Sequence, residues 1–351
     1  MTLDMERGQI ELAHGSGGQA SDRLLRELIL PAMGLDADRL LLDGNSVLSL
    51  ASSGPGELVF TTDTHVVSPR FYPGGDIGSL AVYGTVNDLS MMGARPLALS
   101  VALVIEEGFA LKELWQILKH LGQAARDCQL NLACGDTKVV GRGQADGLFI
   151  NTSGIGIQAP GLTLSPRAIR PGQHIIVNGT LGDHGMAVML QREGIAWENP
   201  IQSDAAPLWT PVQAILSAVE RSGFPTQTIS CLRDLTRGGL AAILNELAQS
   251  SGQVLSIRES DIPISAAVQA ATELLGLDPL YLANEGKFVL FCESSVRDIV
   301  LQTLKAHPAG KQARCIGTVS EASGGRVELQ TAFGATRLLD WRYSDPLPRI
   351  C

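Results

Sequence analysis

Short β-prone runs alternate with amphipathic helical stretches along this chain, and the alternation breaks once, between Ala159 and Gly172, where three prolines and two glycines fall close together. Proline fixes φ and removes a backbone donor, and glycine admits turns, so such a stretch ends regular structure on both sides. The pattern restricts the fold to two α/β units in series. Ahead of the junction, residues 22–30 read as a short helix, 58–62 as a strand, 77–92 as a helix, 97–105 as a strand, 111–127 as an amphipathic helix and 148–157 as a strand. Beyond it come a strand at 174–178, a helix after Gly182-Asp183-His184-Gly185, helices at 208–221 and 238–250, and strands near 254–258, 287–292 and 315–319. Ser323-Gly324-Gly325 predicts a hairpin turn before a last pair of strands. The expected units are therefore 1–162, 163–340 and an irregular tail, 341–351.

At 351 residues the chain fits about two domains of ~150 residues each. Apolar residues at 45% against 18% charged ones describe a folded globular protein. A net charge of -9 without any basic run argues against nucleic acid as a ligand. A polyanionic small ligand such as a nucleotide would need divalent metal between its phosphates and an acidic protein. The six cysteines show neither C-x-x-C pairs nor His-rich spacing, which fits reduced thiols rather than zinc or a disulfide framework. No apolar run reaches the ~18 residues that would span a membrane, and the start lacks a secretory pattern, so a cytoplasmic protein without membrane contact is expected.

Cys351 is the last residue, where a thiol contributes little to a core but can be carried into a pocket on an arm. Eleven tail residues could reach ~36 Å when extended, comparable with the ~40 Å diameter of a half of this size. Four aspartates, Asp43, Asp63, Asp88 and Asp136, read as loop residues beside small neighbours, where they could hold Mg²⁺ and phosphate or simply cap helices and turns. His14-Gly15-Ser16-Gly17-Gly18 offers unobstructed backbone N–H groups that could cradle phosphate, or could be a flexible arm without further purpose. Lys138 reads as a loop cation and Glu285 as a rim carboxylate before an apolar strand, suited to charge stabilisation and proton transfer, or to surface ion pairing. His184 and Arg237 begin expected helices, whose unpaired N–H groups favour anions; Asp183 reads as a cap.

Thr61-Thr62-Asp63-Thr64, Pro73-Gly74-Gly75-Asp76-Ile77-Gly78, Gly84-Thr85-Val86-Asn87-Asp88, Gly135-Asp136-Thr137-Lys138, Arg233-Asp234 through Gly239, Asn284 to Lys287 and Pro348-Arg349-Ile350-Cys351 together resemble the HypE family of hydrogenase maturation factors. The acidic motifs also resemble the wider superfamily of aminoimidazole ribonucleotide synthetase, thiamine-monophosphate kinase and selenophosphate synthetase. The tail is the specific part. The family's paired acidic residues are replaced here by Asp43-Gly44-Asn45-Ser46.

The resemblance implies an α/β (α+β layered) two-domain fold, N-terminal domains forming a dimeric β-barrel, and a mobile tail. It implies ATP held by Gly15, Ser16, Gly17, Gly18, Asp63, Thr64, Asn87, Asp88, Asp136, Thr137, Lys138 and Arg237. Mg²⁺ would be held by Asp43, Asp63, Asp88, Asp136 and Asp234. It implies that a carbamoyl group, placed on Cys351 by the carbamoyltransferase HypF, is dehydrated to a thiocyanate with Lys138 and Glu285 as catalytic groups. The cyanide would then pass to iron in a HypC–HypD complex. A superfamily kinase or synthetase for a free small molecule, or a non-catalytic scaffold with a docking tail, remains as the alternative.

Overall fold

The computed structural model describes residues 3–15, 19–35, 56–196, 198–341 and 349–351. The first half is built on a four-stranded sheet. Its strands are β1 (Glu57–His65), β4 (Ala94–Glu106), β5 (Asn131–Val140) and β6 (Leu148–Gln158), and a two-residue pair, β2 (Phe71–Tyr72) with β3 (Gly75–Asp76), lies apart from it. The order is β1-β6-β4-β5, with only β4 and β5 parallel, and the sheet is open rather than closed into a barrel. Burial alternates along β6 and, from Leu58 onward, along β1, so one face is covered and the other is not.

The covering element is the helix Ile77–Met91. Asp76 starts it, its carboxylate accepting from Gly78 and Ser79 N–H while Ser79 Oγ accepts from Asp76 N–H, a closed capping box. The helix lies close to the sheet because Gly84 and Gly154 leave room: a Cβ on Gly84 would stand 2.9 Å from the His65 ring. Thr85 and Thr152 hydroxyls meet at 2.6 Å across the contact. The helix Leu111–Asp127 packs on this helix and buries Leu114, Ile117, Leu118 and Leu121.

The second half is a seven-stranded sheet, β13-β12-β9-β11-β7-β10-β8. Its strands are β7 (His174–Val177), β8 (Ile229–Asp234), β9 (Gln253–Arg258), β10 (Phe288–Cys292), β11 (Arg314–Ser323), β12 (Arg326–Gln330) and β13 (Thr336–Leu338). β10 is buried throughout, because helices cover both faces. Ile176, Leu232 and Leu290 pack against the helices Trp209–Arg221 and Arg297–Ala306, while Ile175, Val177 and Phe291 pack against Gly239–Ser251.

Three readings of the sequence are corrected here. Asp63, Asp136 and Asp88 are not loop residues: the first two lie inside β1 and β5, and Asp88 lies inside the helix Ile77–Met91. β5 hides from pattern reading because it is an exposed edge strand whose Gly135-Asp136-Thr137-Lys138 stretch carries no apolar alternation. Gly324-Gly325 makes a turn but no hairpin, since β9 already occupies that edge of β11 and β12 pairs with the far edge of β9, in parallel. β8 and the helices Ala266–Leu275 and Arg297–Ala306 were not expected at all.

Candidate active site at the seam between the halves

The segment Asn284–Lys287 leads into β10, and four polar side chains fix it. Asn87, buried in the first half's helix, donates to the carbonyls of Glu285 at 2.9 Å and Ala206 at 3.1 Å and accepts from Leu208 N–H at 2.8 Å. Asn178 donates to the Gly286 carbonyl and accepts from Phe288 N–H. Asn284 donates to the Leu235 carbonyl and accepts from Gly182 N–H. Asp204 accepts from Glu285 and Gly286 N–H and from Lys287 Nζ at 2.8 Å. Burial alone would raise the Asp204 carboxyl, but the Lys287 ammonium wins and holds it below its ordinary range. Position 286 admits only glycine, since a Cβ there would lie 1.9 Å from the Asp204 carbonyl oxygen.

This scaffold leaves Glu285 buried, 3% exposed, with Oε1 making no hydrogen bond among the described residues. Burial, and then the charges of Asp234, Asp204, Asp63 and Asp88, push its carboxyl well above the usual range. The shift favours the protonated form. Asp234, at the end of β8, is pushed up to about 6 by burial and by Asp88. Asp88 is raised by burial against the opposing hydrogen bond from Thr61 Oγ1 at 2.8 Å. His65 ends β1 beside Asp63, 3.6 Å from its carboxylate, and burial keeps the ring neutral. These groups form one cluster of mutually interacting carboxyls in which a proton has several nearby holders.

The end of the chain is docked beside this cluster. Val66 N–H donates to the Cys351 carbonyl oxygen at 3.0 Å and Ser68 N–H to the Arg349 carbonyl at 3.1 Å, an antiparallel continuation of the line of β1. Ile350 is fully buried in the apolar cluster that includes Val67, Tyr72 and Met186. His184 is also buried; its Nε2 donates to the Ile350 carbonyl at 2.8 Å, and its Nδ1 accepts from Ser203 Oγ at 2.8 Å. A carbonyl can only accept, which fixes the tautomer, and burial keeps the ring neutral. Tyr72 stacks edge-on against His184 at 5.3 Å, and its phenol is raised well above its ordinary value by burial and by Glu285, Asp76, Asp204 and Cys351. Tyr72 therefore stands within electrostatic reach of both the terminal cysteine and the buried glutamate.

The other expected residues divide. Asp136 and Lys138 lie on the uncovered face of the first sheet, paired to each other at 2.8 Å, and that pairing lowers the Asp136 carboxyl. Thr64 is on the same face, accepting from Asn151 Nδ2 at 2.9 Å. Thr137 is half-buried on β5, and Arg237 is exposed just before the helix Gly239–Ser251. Asn87 is a strut between the halves. His184 binds the tail rather than a helix-end anion. Gly15 ends a turn of 3₁₀ helix, Leu12–Gly15, while Ser16, Gly17, Gly18 and Asp43 lie outside the described residues. Among the described residues no three carboxylate, imidazole or thiol groups stand close enough to hold a metal ion by themselves. Asp204, Tyr72 and Arg192 escaped sequence reading, and Ser203-Asp204-Ala205 carries no motif that could have flagged the first.

Residues 43–158 and 170–330 match the N-terminal and C-terminal domains of the AIR synthase related proteins. Carbamoyl dehydratase HypE of Azotobacter vinelandii is 45% identical over 349 residues, covering 99% of both chains. HypE in complex with ATP superposes with a TM-score of 0.88 at 40% identity, covering 97% of this chain and 99% of that one. HypE in its complex with HypF superposes with a TM-score of 0.77 at 40% identity, covering 90% and 99%. The chain belongs to the HypE family of hydrogenase maturation proteins.

Proposed function

We propose that this protein is an ATP-dependent carbamoyl dehydratase that converts an S-carbamoyl group on its own Cys351 to a thiocyanate, a source of cyanide for the iron of a nickel-iron hydrogenase. The observation that carries this is the docking of the chain's end: Val66 N–H holds the Cys351 carbonyl, His184 holds the Ile350 carbonyl, and Cys351 packs against the apolar cluster that contains Tyr72. A kinase for a free small molecule has no use for a cysteine docked there.

The chemistry needs two things. The carbamoyl oxygen is a very poor leaving group until ATP converts it to a phosphate ester; two protons must then leave nitrogen as phosphate departs and the carbon-nitrogen triple bond forms. One S-carbamoyl group and one ATP thus give one thiocyanate, ADP and phosphate. Glu285 suits the proton transfers, because a carboxyl with a raised pKa is a stronger base once ionised, and its own backbone is fixed by Asp204 at the N–H and Asn87 at the carbonyl. Mg²⁺ would arrive with ATP, its oxygen ligands shared between the phosphates and Asp63, Asp88 and Asp234, whose hard donors suit it; it would neutralise phosphoryl charge there.

Lys138 and Asp136 belong to this site only if their sheet face meets a second surface. Leu58 and Phe60 stand exposed on that face beside Thr62 and Thr64, which supports a homodimer in which the two sheets close on each other and ATP lies near the contact. HypF would load Cys351 and a HypC–HypD complex would receive the cyanide, in the cytoplasm, where thiols stay reduced. Among the described residues no helix is long and apolar enough to cross a membrane.

The test is intact-mass spectrometry of the S-carbamoylated protein. With Mg-ATP its C-terminal peptide should lose the mass of one water while ATP is consumed in proportion, and Cys351→Ala should abolish the change. An unchanged mass through many ATP turnovers would return the protein to the free-substrate kinases.

A further inference from the structure

The end of the chain is held by more than burial. Arg192, on the helix Asp183–Arg192, donates from Nη2 to the Arg349 carbonyl and from Nε to the Ser68 carbonyl, each at 2.8 Å. The Arg349 guanidinium bonds to the Asp146 carboxylate and donates from Nε to the Val66 carbonyl at 3.0 Å. His184 holds the next carbonyl, and Val66 and Ser68 hold the backbone between. Arg349 adopts a positive φ of 53°, a conformation that side chains visit rarely and that neighbours must hold.

We infer that Asp146, His184 and Arg192 form a recognition clamp for the last three residues, reading the Arg349 side chain and the Arg349 and Ile350 carbonyls so that Cys351 is held at the end of β1, against the apolar cluster. Each reads something different. Asp146 reads a cation; the apolar cluster reads Ile350 by shape; Arg192 and His184 read backbone alone. They are positioning residues that act through the tail. The inference rests on the proposed function only for what the positioning serves; the clamp stands or falls on docking.

Docking is measured on the full-length protein as the iodoacetamide alkylation rate of Cys351, read by mass spectrometry on the C-terminal peptide. Arg192→Ala removes two carbonyl contacts and should speed alkylation about tenfold. Asp146→Ala removes a half-exposed ion pair and should speed it about threefold. His184→Gln keeps a donor and should fall between wild type and His184→Ala. Combining Asp146→Arg with Arg349→Glu should restore slow alkylation that each single change loses, a rescue that a merely structural role for Asp146 would not produce. Rates equal to wild type in the Arg192 and Asp146 variants, or no rescue in the exchanged pair, would overturn the clamp whatever the chemistry is. If alkylation responds as expected while carbamoylated protein is inert with Mg-ATP, the clamp holds and the dehydratase reading is what fails.

Discussion

The two faces of the first sheet carry acidic residues of opposite character. On the covered side Asp88, a residue of the helix Ile77–Met91, has a raised carboxyl, and with Asp234 and Glu285 across the seam it forms a cluster where burial and mutual repulsion favour the protonated forms. On the uncovered face Asp136 has a lowered carboxyl, satisfied by Lys138 and the Thr137 N–H. The difference is one of solvent. The buried group is poised to exchange protons as it stands, whereas the exposed pair becomes reactive only when another surface takes its water away.

The contrast can be broken in order of size. Glu285→Gln keeps shape and removes the base, so carbamoyl-dependent ATP turnover should fall by about a thousandfold with ATP binding retained, the range for a lost general base; turnover within tenfold of wild type would empty the buried side of its chemistry. Lys138→Ala should cost about a hundredfold in rate and little in ATP affinity, since a single charge-stabilising donor is worth that much. Wild-type turnover there would leave Lys138 as an ordinary surface ion pair and the uncovered face as inert. Asp88→Asn should weaken Mg-ATP by about tenfold in calorimetric titration, the share of one charge-assisted ligand, and Asp63→Asn by less because Asp63 is more exposed.

The smallest effect reads the buried side without any ligand. Asp234 titrates at about 6 in the folded chain against 3.8 ordinarily, so the folded state holds this proton more tightly. Its ionisation penalises folding: nothing below pH 3.8, growing between 3.8 and 6, complete above 6. Asp234→Asn should therefore gain about 3 kcal/mol in urea unfolding at pH 7 and nothing near pH 3.5. Equal stability at both pH values would mean that the cluster is wetter than its burial indicates.

The elements that bury a regular apolar face were legible. The helix at 111–127 matches the expectation residue for residue, and those at 77–91 and 209–221 differ by one position at an end. Elements whose identity comes from their neighbours were not. β5 is a strand because β4 offers it an edge, not because Gly135-Asp136-Thr137-Lys138 prefers one. The site shows the same division: Asp88 and Glu285 sit in recognisable motifs, but whether a given carboxylate faces the seam or the solvent follows from strand alternation and register. Asp204 comes from an irregular segment whose placement depends on both halves at once.

The pairing of the tail with Val66 and Ser68 turns the last residues into a ruler. The Arg349 and Cys351 carbonyls meet Ser68 and Val66 N–H while Ile350 between them fills the apolar cluster, so a slip of one residue would break both bonds and expel Ile350. Distance is thus counted backwards from the carboxyl terminus. A single residue inserted between Ile350 and Cys351 changes the phase of the count and delivers the thiol to the wrong address.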